Sequence, residues 1–125
     1  MKKDNKRFAS ELKKRIYKFI LSLISFIDSL PKNDSLCQIV TKQLLRSGTS
    51  IGANYAEAIA GSSRKDFTNF LTHSLKSANE SKFWLALLRD TKKINNDAAD
   101  VLLKELEELS KILASSIKTL KNKNG

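Results

Sequence analysis

An apolar period of threes and fours runs in phase through two glycines, and it constrains this chain more than any other feature. In residues 35–60, Leu36, Ile39, Val40, Leu44, Ile51, Tyr55, Ala58 and Ile59 recur at helical spacing on both sides of Gly48 and Gly52. A glycine inside a helix costs about 0.5–1 kcal/mol relative to alanine. A pattern that keeps its phase across both predicts one helix, not two halves joined by a loop. Ser47, Thr49, Ser50 and Ala53 surround the glycines. On adjoining turns such small residues allow close helix approach. Gln43, Ser47, Ser50, Asn54 and Glu57 form a polar stripe at the edge of the apolar face, and Arg46 is close enough in angle to join it. The expected role is a hydrogen-bonded packing seam that fixes how helices register. The sharper alternative is a ligand or partner site.

The other segments carry the same period. In residues 5–30, Phe8, Leu12, Ile16, Phe19, Leu23, Phe26, Ile27 and Leu30 define a core face, with Lys3, Arg7, Lys14 and Lys18 nearly opposite. Tyr17, Leu21 and Ile24 make a second apolar strip, read as a subunit interface, with a wide core face as the alternative. Leu30-Pro31-Lys32-Asn33-Asp34 stops the first helix, and Asn33 or Asp34 can cap the second. Gly61 suits a left-handed C-terminal cap, and Ser63 with Asp66 resembles a capping box. Residues 64–91 place Phe67, Phe70, Leu71, Leu75, Ala78, Leu85 and Leu88 on one face, interrupted by Ser74 and Ser81. Lys92 and Lys93 suit the end of that helix, and Asn95 or Asn96 can cap the next. Residues 97–121 show a narrow heptad seam of Ala99, Leu102, Leu106, Leu109, Leu113, Ser116 and Leu120, after which the chain should fray. Four helices of similar length with short connections predict an all-α fold. It is an antiparallel up-down-up-down four-helix bundle in one domain, with helices near 5–30, 35–60, 64–91 and 97–121. With 4 glycines and 1 proline the chain lacks the turns of an all-β protein.

The charge is +10 and uneven. Residues 1–30 carry eight basic and three acidic side chains, while residues 96–125 carry five of each. A polyanion is the natural partner, although such charge also serves solubility. Lys3, Lys6, Arg7, Lys13, Lys14, Arg15 and Lys18 make the first helix the most cationic surface. They would meet phosphates without reading bases. Phe8 and Phe19 are expected to face the core, leaving Tyr17 as the stacking candidate there. The single cysteine, Cys37, excludes an internal disulfide and suits a reducing cytoplasm. The basic start lacks a cleavage pattern, and the run from Phe19 to Ile27 is too short to span a membrane. His73 is the only histidine, with Glu80 two turns along, and is read as a hydrogen-bonded flank or core residue. No Glu-x-x-His pair offers a di-iron site, and no phosphate loop follows a strand, so no cofactor, metal or catalytic set is expected.

The runs RSGTSIGANYAEA, SSRKDF and KSANESKFWLALLRD within residues 46–90 resemble one family. It is the small bacterial four-helix-bundle family named for proteins encoded in intervening sequences of 23S ribosomal RNA genes. The resemblance implies a homopentamer without established enzymatic activity. The chain is also similar to the accessory proteins of diversity-generating retroelements, basic pentameric bundles that work with a reverse transcriptase and nucleic acid. Together these readings lead to the expectation of a non-enzymatic, oligomeric RNA- or DNA-binding bundle. The alternative is a protein-interaction adaptor, such as an accessory subunit for a reverse transcriptase.

Overall fold

The computed structural model describes residues 2–92, 94 and 96–124, with the backbone alone at 2–4, 96, 123 and 124. Its four helices are α1 (Lys2–Asp28), α2 (Ser35–Ala60), α3 (Arg64–Asp90) and α4 (Asn96–Asn124). Contacts join α1 to α2, α2 to α3, α3 to α4 and α4 back to α1, and no diagonal pair touches among the described residues. This closed order is the predicted antiparallel four-helix bundle.

Local chemistry sets the helix ends. The residue before Pro31 is disfavoured as helix, and α1 closes with Ser29 N–H to Phe26 O and Leu30 N–H to Ile27 O. Asp34, not Asn33, caps α2 by accepting from Cys37 N–H at 3.0 Å. Ser63 caps α3 by accepting from Asp66 N–H at 3.1 Å. Gly61 corrects an expectation. It is extended (φ −61°, ψ 144°), not left-handed. The chain must reach the extended cap at Ser63 within two residues, so a left-handed turn would misdirect it. Space is the constraint at Gly61, since a Cβ there would lie 3.2 Å from Ala58 O. The left-handed residue falls instead at Lys92 (φ 57°), just past α3. The expected capping asparagine Asn95 lies outside the described residues, and Asn96 is already within α4. Nothing between Lys121 and Asn124 breaks a helix, so α4 continues to Asn124 where fraying was expected.

The glycines of α2 face α1. A Cβ at Gly48 would sit 2.2 Å from Leu23 Cδ2, and one at Gly52 2.7 Å from Ile20 Cδ1. Their role is to admit the side-chain ends of Leu23 and Ile20 from α1. Toward α3, α2 presents hydroxyls. Ser47 Oγ and Ser81 Oγ meet at 2.7 Å in the core, and Ser74 Oγ donates to Ile51 O at 2.8 Å. Ser81 also donates to Ser77 O at 2.9 Å. A hydroxyl donates one proton, and Ser47 also has a carbonyl in reach, Leu44 O at 3.4 Å, so either serine can donate in the shared bond. The α4 seam is buried from Ala99 to Leu113, but Ser116 is only half-buried and Ile117 takes the next core position. An ideal helix drifts about 20° per heptad, enough to hand the seam to Ile117. Phe8 departs from the sequence expectation and is 52% exposed. It lines an open depression with Tyr55 of α2, Phe67 of α3 and Leu120 of α4, which do not close over it.

Tyr55 ties the far ends of α1 and α2 together, its hydroxyl donating to Ala9 O at 3.0 Å. Burial pushes its phenol up to about 12. The folded value therefore exceeds the ordinary value of about 10. The associated stability is whole below about pH 10 and is lost as pH rises toward 12. Tyr55→Phe should flatten that alkaline limb in a stability–pH series. An unchanged limb would contradict the assignment. Gly48→Ala should destabilise the protein by up to about 2 kcal/mol in urea unfolding. Overpacking against buried Leu23 costs about 1–3 kcal/mol and outweighs the roughly 1 kcal/mol gained in helix propensity. Combined with Leu23→Ala, the loss should be smaller than the sum of the single losses.

Candidate nucleic-acid interface

The α1 surface is built by elimination. Its core residues turn inward, so the intervening lysines are left outside. Lys6, Lys13, Lys14 and Lys18 are all exposed, and none belongs to an ion pair among the described residues. Arg7 is exposed and lies 3.3 Å from Glu11 on the next turn. Arg15 differs. Its Nε and Nη2 donate to Glu105 Oε2 and Oε1 at 2.8 and 2.7 Å, and Glu108 lies 3.3 Å away. The bidentate contact with Glu105 holds this guanidinium above the usual arginine range. Arg15 therefore clamps α1 to α4, and its fork is already occupied. The side chain of Lys3 lies outside the described residues. The cationic surface thus centres on Lys13, Lys14 and Lys18, with Lys6 and Arg7 toward the helix start.

The second apolar strip of α1 divides. Tyr17 and Leu21 are 64% and 52% exposed, whereas Ile24 is half-buried and packs against the core. Tyr17 stands among Lys13, Lys14 and Lys18 in one shallow depression. The neighbouring depression runs between α1 and α2.

Of the polar stripe on α2, only Ser47 and Arg46 reach α3. Arg46 bonds Glu80 Oε2 at 2.5 Å and Gln43 Oε1 at 3.2 Å. Trp84 Nε1 donates to the same Glu80 oxygen at 2.9 Å. Ser50 and Asn54 bond their own helix, at Arg46 O and Ser50 O. Glu57 is exposed. The working seam is therefore Ser47, Ser81, Ser74 and Arg46 with Glu80, partly different from the stripe read in sequence. Ser74 and Ser81 carried the missed signal, because a hydroxyl on a core face must find a partner. His73 is exposed beside the Phe70 ring, with centroids 6.4 Å apart, and is not a core residue. Among the described residues no three His, Cys, Asp or Glu side chains are grouped to hold a metal ion. No helix among them is long and apolar enough to cross a membrane. Ile39, read in the apolar period of α2, and Phe83 of α3 are instead exposed, each at about 60%.

The single tryptophan makes the Arg46–Glu80–Trp84 cluster measurable. Glu80→Ala should cost about 1 kcal/mol, with Trp84 emission changing in the folded state as its N–H loses the carboxylate. Unaltered emission would show that the indole does not depend on Glu80.

The family model of the 23S rRNA-intervening sequence protein matches residues 9–115. A crystal structure from Bacteroides thetaiotaomicron, of a protein with unknown function from the S23 ribosomal protein family, is 36% identical. The match covers 88% of this chain and 97% of that one, with a TM-score of 0.79. No curated protein matches. The matched span runs from within α1 to within α4, and the chain belongs to the family of 23S rRNA-intervening sequence proteins.

Proposed function

We propose that this protein is a non-enzymatic RNA-binding bundle that holds the phosphate backbone on the outer face of α1. The observation that carries the reading is the set of exposed lysines, Lys6, Lys13, Lys14 and Lys18, with no carboxylate partner among the described residues. Acidic side chains do sit on α4, but Glu105, Glu107, Glu108 and Asp100 lie within ion-pair reach of Arg15, Lys82 or Arg89. Lysine is a flexible point charge that meets a phosphate without a fixed geometry. The contacts would be tolerant of sequence, and the affinity steeply dependent on salt. Assembly into a homopentamer would repeat the patch and let weak contacts add. The cytoplasm, with its reducing conditions, suits the buried Cys37 thiol.

A second reading, a protein-interaction adaptor, draws support from the α2–α3 face. Exposed Ile39 and Phe83 lie on the helices that also carry Trp84 and Arg46, and aromatic and arginine side chains are typical interface anchors.

The test is a salt titration of binding to a structured RNA. Each phosphate contact contributes about 0.7–0.9 to the log–log slope. Lys13→Ala, Lys14→Ala and Lys18→Ala together should reduce its magnitude by about 2–3 while leaving thermal stability close to the parent. Arg15→Ala should do the reverse, lowering stability by about 1 kcal/mol with little change in slope. No binding at low salt would overturn the proposal. Capture of one specific protein in place of RNA would favour the adaptor.

A further inference from the structure

Beside the cationic face lies a slot of about 410 Å³ between α1 and α2. Tyr17 forms one wall and is 64% exposed. Thr49, Gly52, Ala53 and Ala56 line the α2 side, and Lys13 stands at the edge. The α2 side is low because these residues are small, and Gly52 is held glycine by the approach of Ile20. The result is an apolar recess with an aromatic wall, opening beside Lys13, Lys14 and Lys18. A duplex presents phosphates but keeps its bases stacked inside. Only an unpaired nucleotide offers a free base face together with an anionic backbone. An apolar recess beside lysines complements that combination.

We infer that Tyr17 and the α1–α2 slot take an unpaired base, so that the protein prefers single-stranded nucleic acid to duplex. This rests on the phosphate-binding reading above and narrows its substrate class. The base lies against the Tyr17 ring and over Ala53 and Ala56, while its flanking phosphates meet Lys13, Lys14 and Lys18. Sequence preference is weak, because every base has a stacking face. Leu21, half exposed on the next turn, extends the apolar surface toward a neighbouring base.

The test uses a short oligouridylate carrying one 2-aminopurine, and an RNA duplex of equal length, at one salt concentration. The expected result is tighter binding of the single strand, with quenching of the 2-aminopurine on binding. Tyr17→Leu keeps apolar bulk but removes the ring. It should weaken single-strand binding by about tenfold, the value of one stacked base, and abolish the extra quenching. Duplex affinity should be unchanged, and Tyr17→Phe should behave as the parent. Equal loss for both RNAs, or none for either, overturns the slot while leaving the lysine contacts standing. Failure of both RNAs to bind at low salt overturns the lysine reading as well. Sedimentation of the same variants supplies the last outcome. If Tyr17→Leu changes the oligomeric state and no quenching occurs in the parent, the ring is buried against a second copy, and the slot is not a base site.

Discussion

The seating of two α1 side chains over Gly48 and Gly52 of α2 is the contact around which the rest of the bundle is arranged. Two side-chain ends from α1, Leu23 and Ile20, occupy the space where Cβ atoms would otherwise be. That contact fixes the separation and register of the first pair of helices. The opposite flank of α2 is then set against α3 through Ser47, Ser74 and Ser81. Hydrogen bonds in a dry interior depend on direction as well as distance, so they resist the sliding that an all-apolar interface would tolerate. The second helix therefore positions its two neighbours by different means, steric on one side and polar on the other. The fourth helix closes the square with a regular leucine seam, which is adaptable and carries less positional information.

The charge distribution follows from the same arrangement. The last segment has no net charge, yet its acids are not idle. Arg15, Lys82 and Arg89 each lie close to an acid on α4. Exposed pairs of this kind contribute little stability each, but they cancel positive charge along both edges of α4. Exposed lysines in no ion pair among the described residues remain on every helix, Lys42, Lys76, Lys104, Lys111 and Lys118 among them, and α1 adds Lys6, Lys13, Lys14 and Lys18. The basic surface of α1 thus follows from the lysines it holds, while α4 takes Arg15 out of it.

Much of the fold was legible because it depends on local rules. Helical phase, the proline stop after Leu30 and the caps at Asp34 and Ser63 are each decided within a few residues. The candidate site was legible in part. Exposed lysines and Tyr17 follow from angular position on one helix. The standing of Arg15 did not, because its partners Glu105 and Glu108 are about ninety residues away in the chain. Phe8 was misplaced for a similar reason. Its angle is that of a core residue, but the side chains of α2, α3 and α4 around it leave a depression open to solvent. The left-handed cap moved from Gly61 to Lys92 because the path to the next helix, not residue preference, sets the backbone there.

The sequence by itself determined four helices, their order, most of the core and the concentration of positive charge in α1. Periodicity and net charge are sums over neighbouring residues and need no knowledge of what lies across the bundle. Tertiary structure alone decided which helix the glycines serve, which serines bond to which, and which cations stay unpaired. It also opened the slot beside Tyr17, whose walls come from two helices. Each of these is a relation between residues distant in the chain, and only packing brings them within a few ångströms.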